Sequence, residues 1–252
     1  MYNVKNFFDN ANITVLDKAG CFAVVEYNID KSVTPETAIG AYFAAQMNVK
    51  KRQVVAKMTQ QKVKTQGGAM QWTLGNIEMV SGVKGVGGFL GGAVKGRVTG
   101  ESAAKPEYSG TGLLALEPTH RFILVEDMAN WNGGLVVEDG MFLCCDGTVN
   151  HEIVARSNFS SAVAGGEGLF NLCMSGSGIV CLESRYPREE LIEVTLDNDV
   201  LKIDGSLAVA WSRSLQFTVE RSAKTLIGSA VSGEGLVNVY RGTGKVIMAP
   251  VS

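Results

Sequence analysis

Gly166-Glu167-Gly168-Leu169-Phe170-Asn171-Leu172-Cys173 is followed by Ser175-Gly176-Ser177-Gly178 and by Ile179-Val180-Cys181-Leu182. The same plan returns near the C-terminus as Gly233-Glu234-Gly235-Leu236, Arg241-Gly242-Thr243-Gly244 and Val246-Ile247-Met248. A fainter copy consists of Gly100-Glu101, Ser109-Gly110-Thr111-Gly112 and Leu113-Leu114-Ala115-Leu116. The Gly-Glu pairs begin at residues 100, 166 and 233, so the spacings are 66 and 67 residues. The chain therefore contains an internal repeat, and this repeat decides the predicted fold.

Each copy of the repeat predicts a β-hairpin with a Gly-x-Gly corner. Glycine adopts positive φ without a steric penalty, so it permits a tight reversal between two apolar strands. The strand after each corner is apolar at consecutive positions, which is typical of a strand covered on both faces. In the first copy, Pro106 interrupts the strand before the corner and predicts an edge or a break there.

A second landmark supports the same division into three. A turn-forming residue precedes a glycine by seven positions at Gly68–Gly75, Gly140–Gly147 and Asn198–Gly205. We therefore predict three pseudo-repeat modules at about 53–118, 119–184 and 185–250, preceded by an N-terminal hairpin and helix within 1–52. Because no linker separates them, residues 1–252 are expected to form a single domain with an all-β body.

One helix is predicted near the N-terminus. Thr34 supplies an N-cap, Pro35 suits the first helical position, and Glu36 places an acid in the first turn. Apolar residues follow at helical spacing, so we expect a helix over about 35–48 whose apolar stripe packs on the β-body. The stripe comprises Ile39, Tyr42, Phe43 and Met47. The basic cluster Lys50–Arg52 that follows is interpreted either as a solvated loop or as a phosphate contact.

The composition bounds the class of protein. A chain of 252 residues can bury a substantial core, and 46% hydrophobic residues with 30 glycines fit a β-rich globular protein. The formal net charge is −2. Binding to nucleic acid phosphates needs a basic footprint, so nucleic acid is not an expected partner.

The cysteine pattern indicates a reducing compartment. The five cysteines are Cys21, Cys144, Cys145, Cys173 and Cys181. Their odd number and the lack of a C-x-x-C pair match neither a secreted disulfide framework nor a zinc site. The first twelve residues match neither a signal peptide nor a transit sequence, and no apolar run reaches the roughly 20 residues that span a bilayer. We therefore expect a cytoplasmic protein.

The segment from Gly82 to Gly96 is unusually rich in glycine, with seven glycines in fifteen residues. It matches neither the Walker spacing nor the dinucleotide-binding spacing. One interpretation is a connection of variable length between two strands. The other is a contact loop in which Val86, Phe89 and Leu90 touch a protein partner or, peripherally, a membrane surface.

With these repeats in view, the sequence from about residue 50 to the C-terminus resembles the altered inheritance of mitochondria protein twenty-four family. The resemblance is carried by Gly68-Ala69-Met70, by Gly75–Met79, by loop 82–96 and by Gly-Glu-Gly-Leu with its following Gly-x-Gly. Family members carry a domain similar to the tryptophan RNA-binding attenuator protein. The resemblance therefore implies three attenuator-like β-sandwich modules in a pseudo-threefold arrangement. Mitochondrial relatives are associated with inner-membrane organisation, and no motif here matches the attenuator's tryptophan or RNA sites.

No catalytic constellation is evident. His120 and His151 are the only histidines, and a Cys145–His151 pair lies six residues apart, which does not establish hydrogen-bonding reach. We expect no metal, no cofactor and no enzymatic activity. Equivalent acids at Glu101, Glu167 and Glu234 could form an acidic ring for a cation or a lysine-bearing partner; the alternative is three solvated turn residues.

Two functional hypotheses follow from the sequence. The favoured one is a non-catalytic binding or scaffold protein that acts through protein–protein contacts and associates with itself or a partner through apolar faces or edge strands. The other is a small-molecule-binding or cysteine-dependent hydrolytic enzyme that uses a cleft between modules. The identity of any small ligand is not specified by the sequence.

Overall fold

The computed structural model describes residues 2–80, 105–155, 170–221 and 236–251. Its elements in chain order are β1 (Ile13–Ala19), β2 (Phe22–Tyr27), α1 (Pro35–Gln46), β3 (Arg52–Thr65), β4 (Met70–Val80), β5 (Glu107–Leu116), β6 (Phe122–Asp127), β7 (Leu135–Val137), β8 (Phe142–Asp146), β9 (Val149–Ala155), β10 (Phe170–Gly176), β11 (Ile179–Ser184), β12 (Ile192–Asp204), β13 (Ala208–Ser212), β14 (Gln216–Arg221) and β15 (Leu236–Met248). Two 3₁₀ turns lie at Met128–Asn130 and Arg188–Glu190. The predicted all-β class with one short N-terminal helix is confirmed.

The strands form two antiparallel sheets. The eight-stranded sheet has the order β1-β2-β3-β8-β11-β6, with β5 paired to β3 and β4 paired to β5. The seven-stranded sheet has the order β12-β15-β13-β7-β10-β9, with β14 paired to β15. A buried cluster includes Leu124 and Leu182 from the first sheet and Leu172 and Ile247 from the second. The two sheets therefore share a hydrophobic core, which is one of several buried clusters that stabilise the fold.

The middle part of the chain belongs to both sheets. Strands β3 to β5 lie only in the eight-stranded sheet, and strands β12 to β15 lie only in the seven-stranded sheet. Between them in sequence, β6, β8 and β11 join the first sheet, whereas β7, β9 and β10 join the second. The middle segment therefore ties the two sheets together. The boundaries proposed for the three modules stay a prediction.

The predicted Gly-x-Gly hairpin corners are wrong. Strands β5 and β15 run through their Gly-x-Gly segments, and β10 and β11, which flank the middle one, pair with different strands in different sheets. The glycines are needed for close approach between backbones. A Cβ at Gly112 would lie 1.9 Å from the carbonyl oxygen of Leu74, and one at Gly110 would lie 2.0 Å from that of Asn76. Any side chain there would separate β4 from β5.

A matching irregularity faces the Gly-x-Gly segment in the first and last copies. Gln60 in β3 and Asn198 in β12 have positive φ angles of 53° and 52°, and the strand register shifts at each. The Gln60 amide donates to the Thr111 hydroxyl at 3.1 Å, and the Asn198 amide donates to the Thr243 hydroxyl at 3.0 Å. In the middle copy, the Met128–Asn130 turn divides the strand into β6 and β7 instead.

The second sequence landmark is partly misaligned. Gly68, Gly140 and Gly205 have φ angles of 80°, 81° and 69°, and they lie in the connections that precede β4, β8 and β13. Gly205 is therefore the counterpart of Gly68 and Gly140. The predicted counterpart, Asn198, lies inside β12, because an asparagine in the left-handed region at a bulge resembles one in a turn.

Candidate functional site

Helix α1 presents its large apolar side chains to solvent. We define the α1 surface as Ile39, Tyr42, Phe43 and Met47, which are 71%, 62%, 63% and 78% exposed. None of the helix residues is buried. The predicted packing of this stripe on the β-body is therefore wrong, although the helix itself is confirmed. An exposed group of large apolar side chains is unusual for a helix of a folded protein.

Local sequence explains why this helix forms without packing support. Thr34 occupies the N-cap in an extended conformation, and its backbone amide donates to the Thr37 hydroxyl at 2.9 Å. Pro35 fits the first turn, where its missing N–H costs nothing. The helix ends at Gln46, and Asn48, whose φ angle is 60°, turns the chain away from the helical path. The Tyr42 and Phe43 rings meet edge to face with centroids 5.5 Å apart.

A buried arginine fixes the C-terminal end of this helix to the β-body. Arg52 is 1% exposed, and its guanidinium donates to the Asn48 carbonyl at 3.0 Å and pairs with Glu26 at 2.8 Å. The Phe122 ring lies 4.0 Å from the guanidinium carbon. Lys50 pairs with the same Glu26 at 2.8 Å. The basic cluster is therefore neither wholly solvated nor arranged as an open phosphate site, because its arginine is buried against a carboxylate.

Four of the five cysteines are buried and Cys21 is half-buried, which disfavours nucleophilic chemistry. Burial raises the pKa of Cys145 to about 12, and desolvation with the neighbouring Asp146 raises the pKa of Cys21 to about 12. Desolvation likewise raises the pKa of Cys144 and of Cys173. Thiolate is the reactive form, so these thiols stay protonated at neutral pH.

The suggested cysteine–histidine pair is divided between the sheets. Cys145 lies on β8 in the eight-stranded sheet, whereas His151 lies on β9 in the seven-stranded sheet, opposite Met174 of β10. Closeness in sequence does not bring the two side chains onto one strand pair.

A polar cleft of about 760 Å³ lies between β6, which pairs with β11, and β12, which pairs with β15. Four acids and two bases contribute to its lining: Asp17, Glu126, Asp127, Glu193, Arg188 and Lys245. The Glu193 carboxylate faces Arg188 at 2.6 Å and Lys245 at 3.6 Å. This cleft lies between the predicted second and third modules, where the alternative hypothesis placed a ligand.

Glu126 is the buried acid of this cleft. It is 7% exposed, and Trp131 donates its indole N–H to Glu126 Oε2 at 3.1 Å. Desolvation raises the pKa of this carboxyl group, against the opposing effect of Arg188. The Lys245 ammonium lies 4.3 Å from the centre of the Trp131 ring. The buried carboxylate is thus held in position by an aromatic side chain that a cation covers.

Two sequence-predicted sites lie outside the described residues. They are the contact loop residues Val86, Phe89 and Leu90 and the acidic ring residues Glu101, Glu167 and Glu234. Both stay predictions. Among the described residues, no three His, Cys, Asp or Glu side chains are grouped as a metal site. Within the same ranges, no helix has the length and hydrophobicity needed to cross a bilayer.

Comparison with known proteins places most of the chain in one family. A family model described as mitochondrial biogenesis AIM24 matches residues 45–251. An uncharacterized protein from Streptococcus pyogenes serotype M6 is 31% identical over 189 residues, which cover 72% of this chain and 73% of that protein. A crystal structure of a Streptococcus pyogenes protein covers 82% of this chain and 90% of its own, with 26% identity and a TM-score of 0.57.

Proposed function

We propose, from the premise that this chain belongs to the mitochondrial biogenesis AIM24 family, that it is a non-catalytic binding or scaffold protein whose α1 surface joins two copies of the chain. The family description states no reaction, and the streptococcal relative is called uncharacterized. The observation that carries the proposal is the exposure of four large apolar side chains on a helix whose only charged residue is Glu36.

The amount of exposed apolar area supports a second copy as the occupant. Three apolar neighbours extend the α1 surface along the sequence: Ile29, Val33 and Val49, which are 62%, 36% and 45% exposed. With about 150–250 Å² for each large side chain, these fractions leave roughly 700 Å² of apolar area exposed per copy. A standard interface takes about 800 Å² from each partner, so an interface that covered all seven side chains would approach this size.

The charge pattern favours a second copy over an anionic lipid surface. A helix that lies on such a surface carries lysines and arginines beside its apolar face. Here Lys50 pairs with Glu26 at 2.8 Å, and Lys51 pairs with Asp30 at 2.7 Å. Because these cations are neutralised within the chain, they add little attraction to lipid phosphates. Two copies of an almost uncharged helix can approach each other without like-charge repulsion.

The state of the cysteines supports the non-catalytic part of the proposal. A hydrolytic cysteine needs a thiolate and a base within hydrogen-bonding reach. The pKa values of Cys144 and Cys145 are raised, so their thiols stay protonated at neutral pH. The candidate base, His151, lies in the other sheet. We also propose a cytoplasmic location, since the described cysteines are all free thiols and such thiols persist in reducing compartments.

The proposal is tested by measuring the mass of the full-length protein in solution. Light scattering after gel filtration is expected to give a dimer for the wild type and a monomer for Phe43→Asp, because the new carboxylate would be desolvated at the centre of the interface. Val200→Asp is the matched control. Val200 is an exposed apolar residue on β12, 46% exposed and distant in sequence from α1, so this variant is expected to stay dimeric.

Three results would contradict the proposal. They are a monomeric wild type at micromolar concentration, a Phe43→Asp variant that remains dimeric, and a Val200→Asp variant that dissociates equally. Thermal unfolding of each variant establishes that it is folded. Sedimentation with vesicles containing phosphatidylserine separates the lipid alternative, because vesicle binding by a monomeric wild type would assign the α1 surface to a membrane instead.

A further inference from the structure

We propose that the cleft between β6 and β12 binds a small organic amine, whose ammonium group is received by the carboxylate of Glu126. This site is separate from the α1 surface and adds a ligand to a protein proposed above only as a scaffold. It rests on three features of the cleft: a buried acid that has hydrogen-bonding capacity left, a balance of charge that favours cations, and a size suited to a small molecule.

The first feature is the incomplete hydrogen bonding of Glu126. An ionised carboxylate accepts hydrogen bonds at both oxygens. Oε2 accepts from the Trp131 indole at 3.1 Å, and among the described residues no hydrogen bond reaches Oε1. Glu126 as a whole is 7% exposed, and Oε1 is the oxygen that keeps solvent access, so a ligand in the cleft can donate to it. The site is therefore prepared for a donor.

The second feature is the charge that remains after internal pairing. Arg188 and Lys245 both face Glu193, so their charges act on that carboxylate and only partly on Glu126. Four acids against two bases leave the lining with a net charge of −2, and Glu126 is the buried acid among them. An anion would be repelled by this arrangement. A primary ammonium instead gains attraction and offers three donors, which form strong charge-assisted hydrogen bonds with carboxylates.

Burial singles out Glu126 as the receiving group, because Asp17 and Asp127 are exposed and each already accepts one local hydrogen bond. Asp17 Oδ1 accepts from the Lys18 amide at 2.7 Å, and Asp127 Oδ1 accepts from the Ala129 amide at 2.9 Å. A metal ion requires several ligands that converge on one point. Among the described residues no such group of three exists, so a molecular cation fits the cleft better than a metal ion.

The third feature is the size and lining of the cleft. A volume of about 760 Å³ falls within the range of roughly 300–1,000 Å³ that is usual for small-molecule sites. Beyond Glu126, the walls carry neutral polar groups: Asn130, Asn132, Thr195, Ser212 and Thr243. These amides and hydroxyls can donate to and accept from the remainder of a polar ligand. The amine is thus fixed at one end of a site that tolerates different polar tails.

The test compares putrescine with butanediol, in which hydroxyl groups replace both ammonium groups on the same four-carbon chain. Titration calorimetry on the full chain is expected to give saturable binding of putrescine and at least about tenfold weaker binding of butanediol, since the charge-assisted bond to the carboxylate is lost. Glu126→Gln keeps the size of the side chain and an acceptor for Trp131. This variant is expected to bind putrescine about tenfold more weakly, or worse.

Glu152→Gln is the matched control, because Glu152 is a half-exposed acid on β9 that pairs with Arg213 away from the cleft lining. It is expected to bind putrescine as the wild type does. The inference is overturned by no saturable binding at millimolar putrescine, by equal binding of butanediol, or by equal losses in both glutamate variants. The monomeric Phe43→Asp variant should bind putrescine normally, so this proposal and the scaffold proposal succeed or fail separately.

Discussion

The α1 surface and the cleft depart from the usual partition of side chains in opposite directions. On α1, Phe43 and Met47 are 63% and 78% exposed, although burial of such a side chain is worth about 1.5–3 kcal/mol. In the cleft, the Glu126 carboxylate is 7% exposed, although a charged group loses hydration when it is buried. Neither arrangement helps the isolated chain to fold. Each would be relieved by the partner proposed for it, which is apolar for α1 and cationic for Glu126.

The two features also lie in different parts of the chain. Both β6 and β12 fall within residues 45–251, which the family model matches, whereas nearly all of α1 precedes them. The cleft is therefore built from the strands of the family body. The C-terminal end of α1 is held to that body by the contacts of Arg52 with Asn48 and Glu26. A mutation at this attachment should therefore affect the α1 surface strongly and the cleft weakly.

Replacement of Arg52 by leucine is expected to give the largest loss of stability among the changes at the α1 surface and the cleft. The change leaves Glu26 buried with only the partly exposed Lys50 as its partner, and it removes the bond to Asn48 that holds α1. Removing one member of a buried ion pair costs about 3–5 kcal/mol, and we expect about 3 kcal/mol because Lys50 remains. Urea unfolding monitored by circular dichroism measures the change in the free energy of unfolding.

Lys51→Leu is the control for that experiment. Lys51 pairs with Asp30 near the surface, where both side chains are about one-third exposed, so its loss should cost less than about 1 kcal/mol. Equal losses in the two variants would mean that the buried guanidinium does not fix α1 to the body.

Replacement of Glu126 by glutamine is expected to stabilise the protein at neutral pH. Burial raises the pKa of this acid in the folded state, so its contribution to stability is fully present below the unfolded pKa of about 4.3 and is lost as the pH rises through the folded pKa. Glutamine imitates the protonated form at every pH. The variant should therefore gain on the order of 1 kcal/mol at pH 7 and almost nothing at pH 4.

Thermal unfolding at pH 4, 5, 6 and 7 measures this difference. A gain that does not depend on pH, or a loss of stability at pH 7, would show that the buried carboxylate is not strained by desolvation. With putrescine present, the wild type should become as stable at pH 7 as the Glu126→Gln variant, because the ligand supplies the missing counter-charge. That recovery links the stability of the cleft to its proposed ligand.

The parts of the fold that depend on local signals could be predicted from the sequence. Thr34 and Pro35 placed the start of the helix correctly, because an N-cap and a proline act within one turn. The Gly-x-Gly segments were misread as hairpin corners. Glycine serves tight turns and close backbone approach equally well, and the choice depends on the facing strand. Leu74, whose carbonyl would clash with a Cβ at Gly112, is distant in sequence.

The sites were harder to predict for a related reason. Helical spacing identifies side chains that share a face, but it does not state what covers that face, so Phe43 was expected in the core. The position of Glu126 could have been predicted from the alternation of residues in its strand. In β6, Leu124 and Glu126 are both buried and lie two residues apart, on the same face of the strand. Alternation predicts an inward carboxylate there, and a buried acid is a candidate site.

The smallest expected effect on stability is that of truncating Phe43, and it is compared with the same truncation of a core phenylalanine. Phe43→Ala should change the free energy of unfolding of the monomer by no more than about 0.5 kcal/mol, because Phe43 packs against little of the chain. Phe22→Ala is the matched variant, since Phe22 is 2% exposed and should lose about 3–5 kcal/mol. Both are measured by urea unfolding at protein concentrations low enough to dissociate dimers. A large loss of stability for Phe43→Ala would place its ring in the core and remove the basis for an intermolecular role. An unchanged stability of the monomer is what we expect if the ring serves to bind a partner.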